Sequence, residues 1–154
     1  MSKYTARIAW KSDSPETFTK NRYTRGHTWD FDGGVSVPAS SSPQVVPRFS
    51  VEAAVDPEEA LVASASSCHM LTFLWLAATA GFTIDSYTDD AVGEMAVGED
   101  GKQWMSKITL DPQIAWSGYT LPTALQVAEL HHAAHEQCYI ANSIKSEIII
   151  TGQA

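Results

Sequence analysis

The feature that most constrains the fold is a long apolar helix predicted in the middle of the chain. Asp56 can be its N-cap, Pro57 suits the first helical position, and Glu59 follows the cap by three residues, as in a capping box. The apolar stretch then runs to Gly81, a typical helix stop. Large apolar side chains cover nearly every face of its second half: Leu71, Phe73, Leu74, Trp75 and Leu76. A helix of this kind belongs in the middle of a fold or at a subunit interface, so we predict a central helix over residues 57–80.

Strand-like segments lie on both sides of this helix in the sequence. Residues 4–10, 27–31 and 35–37 precede it, and residues 84–97 and 103–116 follow, with a hairpin signal at Asp100-Gly101. A second amphipathic helix is predicted over residues 122–137 and a last strand over residues 147–151. This order indicates an α+β fold in which two helices pack against antiparallel sheet.

Length and composition predict one globular domain over residues 1–154. Hydrophobic residues make up 44% of the chain and charged residues 18%. A formal charge of -8 argues against a nucleic-acid partner, because phosphate binding needs a basic surface. No basic segment leads into an apolar stretch at the N-terminus, and the apolar run of residues 70–80 is shorter than the roughly 20 residues that span a bilayer. We therefore expect a cytoplasmic protein with no membrane partner.

The chain contains two cysteines, which are too few for a disulfide scaffold. Cys68 follows five small residues, 63–67, which let other groups approach closely, and three of these are serines that weaken helix propensity. A thiol is nucleophilic only as a thiolate, so a reactive Cys68 needs a positive group nearby. Cys138 lies at the end of the second predicted helix. This placement fits a redox pair and fits two unrelated buried thiols equally well.

Three segments of the chain resemble the OsmC/Ohr family (osmotically inducible protein C and organic hydroperoxide resistance protein). Residues 56–68 are similar to the family's Asn-Pro-Glu-Glu/Gln, small-residue, Ala-Ala-Cys segment, including the ten-residue step from Glu58 to Cys68. Residues 138–145 resemble the second-cysteine segment, and Arg25-Gly26 before an aromatic strand resembles the arginine segment. The resemblance spans most of the chain, with the segments in the family's order.

Three positions depart from the family pattern. Asp56 replaces the Asn before Pro-Glu, a conservative change because both residues cap helices well. Tyr139 replaces the Pro after the second cysteine, which affects the geometry expected for that turn. His69 follows the first cysteine where an apolar residue is common, and we expect it to shift substrate preference.

The resemblance implies an OsmC-like fold, with antiparallel sheets wrapped around two central helices in an intertwined homodimer. It implies that Cys68 is the peroxidatic thiol, that Cys138 is the resolving thiol, and that Arg25 and Glu58 form a polar pair around Cys68. Arg22 is a rival for the role of Arg25. The implied reaction reduces an organic hydroperoxide to an alcohol through a Cys68 sulfenic acid and a disulfide. An external dithiol, such as a dihydrolipoyl group, then restores the thiols, and no cofactor is needed.

Helix geometry constrains this arrangement. Ten residues of straight helix place Glu58 about 15 Å from Cys68 along the axis, which is too far for one arginine to touch both. Either the helix breaks within residues 64–67, or a partner subunit supplies one of the groups.

Two alternatives do not involve peroxide turnover. His131, His135 and Cys138 are spaced at i, i+4 and i+7 on one helical face and so are candidate ligands for Zn²⁺. Trp75, Phe73 and Leu71 are candidates to line an apolar pocket for a small molecule.

Overall fold

The computed structural model describes residues 1–152, which fall into two compact units, Met1–Ala60 and a second unit beginning at Leu61. The single domain expected for residues 1–154 stays a prediction. The first unit contains a three-stranded antiparallel sheet with the order β1-β2-β3, formed by Ala6–Ala9, His27–Phe31 and Ser36–Ala39. All three strands were predicted, with differences only at their ends.

A short helix, α1, was missed by the sequence analysis. It spans Pro15–Thr19, with Pro15 in its first turn and an ion pair between Lys20 and Glu16 at 2.9 Å. Five residues are too few to show helical periodicity, which explains why the sequence pattern did not reveal it.

Helix α2 spans Pro57–Thr79, as predicted to within one residue. The capping box is formed: the Glu59 backbone N–H donates to Asp56 Oδ1 at 2.8 Å, and the Asp56 N–H donates to Glu59 Oε2 at 3.2 Å. Gly81 terminates the helix with a φ of 85°, in the left-handed region that glycine adopts without strain. The helix is continuous through residues 64–67.

The length and composition of α2 would also allow it to cross a membrane. The expectation that no segment is long enough considered only residues 70–80, whereas the whole 23-residue helix passes this test. Core helices of water-soluble folds pass it as well, so it does not distinguish the two environments.

The second unit contains two further sheets. Strands β4 (Thr83–Asp89) and β7 (Pro112–Ser117) pair antiparallel. Strands β5 (Val92–Val97) and β6 (Gln103–Leu110) form the predicted hairpin, with Gly101 at a φ of 75° in its turn. Strand β8 (Glu147–Ile150) pairs with β6 in parallel, where antiparallel sheet was expected. The long connection between them, which includes β7 and a helix, allows the chain to return and enter the sheet in the same direction.

Helix α3 spans Ala124–Gln137 and begins two residues later than predicted because Thr123 is its cap. The Gln126 N–H donates to Thr123 Oγ1 at 3.3 Å, and the Thr123 N–H donates to Gln126 Oε1 at 2.9 Å. A 3₁₀ helix, Ala141–Ser143, follows α3 and leads towards β8.

Helix α2 contributes to both hydrophobic clusters of the second unit. Ala65 is fully buried against Ile108 and Leu110 of β6. About two to three turns further along, Phe73 and Ala77 pack with Ala134 of α3. A glycine on β5 allows close approach, since a Cβ at Gly93 would lie 2.5 Å from Val62 Cγ2. The α+β class predicted from the sequence is confirmed, with two long helices and three sheets in the described residues.

Two histidines are buried together between α2 and α3. His69 Nε2 and His131 Nδ1 are 3.0 Å apart, and both residues are 1% exposed. The two rings are nearly parallel, and Phe73 stacks on His131 with ring centroids 4.2 Å apart. Burial, followed by electrostatic interaction with His131 and His135, lowers the pKa of His69 to about 4. Burial also lowers the pKa of His131 to about 4, against the opposing effect of Asp89. Both imidazoles are therefore neutral at physiological pH.

This pair predicts loss of stability in mild acid. Because both pKa values are lowered from 6.5 to about 4 on folding, the unfolded chain binds more protons in this range. The contribution of the two histidines to the free energy of unfolding has its full value above about pH 6.5 and decreases as the pH falls towards 4. We expect the unfolding temperature to fall over this window, by roughly 2 to 4 °C for each kcal/mol lost.

Thermal unfolding at successive pH values tests this prediction. The double variant His69→Leu/His131→Phe should flatten the plot of unfolding temperature against pH between pH 6.5 and 4. The control His132→Asn, at an exposed position of α3, should leave this plot unchanged. A double variant with the slope of the parent protein would show that other groups cause the acid sensitivity.

Candidate active site

The structure brings the two cysteines together. Cys68 is on α2 and is partly exposed, whereas Cys138 is the C-cap residue of α3 and is 0% exposed. Both are free thiols, and Cys68 lies close enough to Cys138 to raise the pKa of the Cys138 thiol. The sequence left open whether these residues were neighbours or unrelated packing groups. The fold makes them neighbours.

The surroundings of Cys138 keep its thiol protonated. Burial is the main cause that raises the pKa of the Cys138 thiol, and interaction with the nearby Cys68 thiol raises it further. The Ala141 N–H donates to Cys138 Sγ at 3.4 Å, which opposes this shift. The Asn142 backbone N–H and side-chain amide each donate to the Cys138 carbonyl at 3.1 Å. These hydrogen bonds stabilise the turn that follows Cys138. Tyr139 is exposed in this turn and replaces the proline of the family pattern.

The small residues before Cys68 serve packing and cross-links rather than a helix break. Ala65 packs against β6, and a larger side chain at this position would push the strand away. The Ser66 hydroxyl donates to the carboxylate of Asp89, which also accepts from the Asp111 N–H at 2.7 Å. Of the two alternatives left open by the sequence, a helix break within residues 64–67 does not occur. Ser66 makes its side-chain hydrogen bond to Asp89 of β4 and leaves the backbone hydrogen bonds of the helix in place.

Glu58 stays distant from Cys68 on the same helix. Since α2 is unbroken, about 15 Å of helix axis separates the two residues. The route that required a helix break is therefore excluded, and the partner-subunit route stays a prediction.

Arg25 lies in the first unit, in the loop before β2. Its guanidinium carbon is 3.6 Å from the centroid of the Tyr23 ring, and Nη1 donates to the Tyr23 carbonyl at 3.3 Å. Within residues 1–60 it forms no ion pair with Glu58, and the only ion pair of that unit joins Lys20 and Glu16. The pairing of Arg25 with Glu58 therefore stays a prediction for the assembled protein. Arg22, its rival, is exposed.

Neither alternative site is present as predicted. No three His, Cys, Asp or Glu side chains in residues 1–152 are arranged to hold a metal ion, so the proposed set of His131, His135 and Cys138 is wrong. His131 instead makes its hydrogen bond with His69. The pocket of Trp75, Phe73 and Leu71 is also wrong. Phe73 is buried, whereas the other two are about 60% exposed, because residues two apart point to different sides of a helix.

Both cysteines were predicted from the sequence as site residues, but the polar residues around them were not. His69 was noted only as a departure from the family, although a histidine inside an apolar helix signals a buried hydrogen bond. Asp89, which joins β4 to Ser66 and to the Asp111 backbone, carries no comparable signal in the sequence.

Comparisons with known proteins agree with this architecture. A model of the family described as OsmC-like protein matches residues 50–152. The structure of an OsmC-like protein of unknown function from Vibrio cholerae is 50% identical, covering 98% of this chain and 99% of that chain with a TM-score of 0.95. No curated protein sequence matches.

More distant structures share the fold at low identity. An OsmC-like protein from Mycoplasma pneumoniae is 16% identical, with a TM-score of 0.71 and coverage of 97% of this chain and 95% of that one. An organic hydroperoxide resistance protein from Elizabethkingia anophelis is also 16% identical, with a TM-score of 0.66 and coverage of 97% and 94%. The chain belongs to the OsmC-like protein family.

Proposed function

We propose that this protein is a thiol-dependent peroxidase that reduces organic hydroperoxides to alcohols. The observation that carries the proposal is the proximity of two free thiols, Cys68 on α2 and Cys138 at the end of α3. A structural neighbour is named an organic hydroperoxide resistance protein, which supports the same chemistry at the level of the family.

The different environments of the two thiols support separate roles for them. A peroxide must reach the sulfur that it oxidises, and Cys68 is the partly exposed member of the pair. Cys138 is fully buried, and its pKa is raised by that burial, so it is a poor first nucleophile. It is well placed to react with an oxidised Cys68 beside it.

The proposed reaction has three stages. The Cys68 thiolate attacks the terminal oxygen of ROOH, the O–O bond breaks, and Cys68 becomes a sulfenic acid while the alkoxide takes up a proton to leave as ROH. The Cys138 sulfur then displaces water from the sulfenic acid and forms a Cys68–Cys138 disulfide. An external dithiol, by resemblance a dihydrolipoyl group, reduces this disulfide and is itself oxidised. A reducing cytoplasm would supply such a dithiol.

A homodimer would complete the site. Leu71 and Trp75 project from α2 with 60% and 59% of their surface exposed, which is unusual for large apolar side chains on a central helix. A second copy packed on this face would bury them. It would also allow Arg25 and Glu58 to reach the neighbourhood of a Cys68, where a guanidinium would stabilise the thiolate and the departing alkoxide.

Cysteine variants test the assigned roles. We expect Cys68→Ser to abolish hydroperoxide consumption, because the nucleophile is removed. Cys138→Ser should consume one equivalent and stop as a sulfenic acid that dimedone traps, which mass spectrometry detects. The parent protein should lose two hydrogens after one equivalent of peroxide. A Cys138→Ser protein that still turns over normally with a dithiol would remove Cys138 from the mechanism.

We expect a preference for organic hydroperoxides over hydrogen peroxide because α2, which carries Cys68, is rich in apolar residues. An alkyl or aryl group gains roughly 25 cal/mol for each Å² that it buries, a gain that hydrogen peroxide cannot make. Cumene hydroperoxide should therefore show the higher kcat/KM, measured by stopped-flow with the same dithiol. Faster reduction of hydrogen peroxide would contradict this preference.

The dimer can be tested separately from activity. Trp75→Asp should weaken self-association by roughly 30-fold or more, as expected for a buried interface tryptophan, and light scattering over a dilution series would measure this. Tyr119→Asp, at an exposed aromatic in a loop, is the matched control. A Trp75→Asp protein that associates as tightly as the control would place the interface elsewhere.

A further inference from the structure

The hydrogen bond between two buried histidines has no part in the chemistry proposed for the thiols. His69 directly follows Cys68 on α2. On α3, His131 lies seven residues before Cys138. His69 Nε2 and His131 Nδ1 are 3.0 Å apart. Consecutive residues of α2 therefore meet α3 at two places, one near its end and one about two turns earlier.

This bond is the directional contact between the two helices. Within residues 1–152, no other side-chain hydrogen bond joins α2 to α3. The apolar contact includes a small side chain, Ala134 of α3, which packs with Phe73. Apolar packing tolerates a small slide because burial has no preferred direction, whereas a hydrogen bond requires a defined distance and angle. The histidine pair is therefore the contact that can fix the register of α3 on α2.

Burial makes this bond difficult to replace. Both histidines are 1% exposed, so water cannot take the place of either partner. The two rings lie within 6° of parallel, and Phe73 stacks on His131, which limits rotation of that ring. Both imidazoles are neutral at physiological pH, so one nitrogen donates and the other accepts.

Stability alone does not explain two histidines at this place. His69 Nδ1 is buried and has no hydrogen-bond partner among the described residues, which costs desolvation free energy. Two apolar side chains of similar shape would fill the same space without that cost. A buried polar pair can instead specify one arrangement of the helices that carry it.

A disulfide is sensitive to such an arrangement. The Cα atoms of two bridged cysteines lie about 4.4 to 6.8 Å apart. Each residue of a helix contributes about 1.5 Å of rise, so a slide of one or two residues uses up most of that range. Cys138 is the C-cap residue of α3 and therefore moves with this helix.

We infer that His69 and His131 are positioning residues, whose hydrogen bond holds α3 in register on α2 so that Cys138 stays within reach of Cys68. Neither imidazole touches the hydroperoxide in this role, because both act through the two thiols. The effect on peroxide turnover rests on the proposed function. The ease with which the two thiols form a disulfide does not.

Equilibration with glutathione measures this positioning without any peroxide. Glutathione disulfide takes up the two thiol hydrogens of Cys68 and Cys138 and leaves as two glutathione thiols, while one S–S bond forms in the protein. Acid quenching, alkylation and mass spectrometry give the ratio of oxidised to reduced protein. This ratio, at known glutathione concentrations, yields the effective concentration of one protein thiol at the other.

Substitutions of His69 separate hydrogen bonding from packing. His69→Phe keeps a ring and breaks the bond, and it should lower the effective concentration by roughly threefold to tenfold, as expected for one hydrogen bond. His69→Gln supplies an amide that can donate to His131 Nδ1, and it should stay within about twofold of the parent protein. If the histidines contributed only by packing, the order would be the opposite, because phenylalanine fills an apolar site better than glutamine.

Two further variants complete the set. His131→Leu breaks the same bond from α3 and should give the same loss as His69→Phe, so it replaces that variant if the larger ring prevents folding. His132→Asn, at an exposed position of α3, is the matched control and should leave the effective concentration unchanged. Thermal unfolding of each variant shows whether the fold is retained.

Single-turnover kinetics test which stage the bond affects. After one equivalent of cumene hydroperoxide, His69→Phe should form the Cys68 sulfenic acid at the rate of the parent protein. Formation of the disulfide with Cys138 should then slow by the same factor by which the effective concentration falls.

Two results would overturn the inference. One is a His69→Phe protein with the effective concentration of the parent, and the other is a His69→Gln protein as impaired as His69→Phe. The expected order of variants in glutathione, without peroxidase activity in the parent, would leave this inference standing and remove the proposed function. Peroxide turnover in the parent, with equal effective concentrations in all variants, would do the reverse.

Discussion

The need to bury helix α2 organises the second unit. Its apolar side chains occupy nearly every face, so sheet and helix must cover it on more than one side. Ala65 and Phe73 mark the two places where this happens, against β6 and α3. Leu71 and Trp75 lie on a face that the single chain leaves uncovered. The same helix carries Cys68, so the packing of α2 also decides that Cys138 lies near Cys68.

Burial acts on neighbouring groups in different ways along the contact of α2 with α3. It keeps His69 and His131 neutral by lowering their pKa values, and it keeps the Cys138 thiol protonated by raising its pKa. Each group is therefore held in its uncharged form, and Cys68 is the more exposed member of the thiol pair. In the proposed reaction, this difference in exposure separates the tasks of two chemically identical side chains.

The surroundings of Arg25 hold its guanidinium in one place. The Arg25 backbone N–H donates to the Phe49 carbonyl, and the guanidinium lies over the ring of Tyr23. The guanidinium therefore lies beside an apolar cleft of the first unit rather than free in solvent.

The sequence by itself determined the local features. The capping box at Asp56 and Glu59, the extent of α2 and the β5–β6 hairpin follow from short-range backbone chemistry, and the family resemblance identified both cysteines. Tertiary structure alone decided which residues became neighbours. It brings Cys68 near Cys138, allows the hydrogen bond from Ser66 to Asp89, and pairs β8 in parallel with β6. These depend on how distant segments pack, and no pattern within a few residues records that. Local periodicity describes one helix or strand at a time, whereas a site is made where several of them meet.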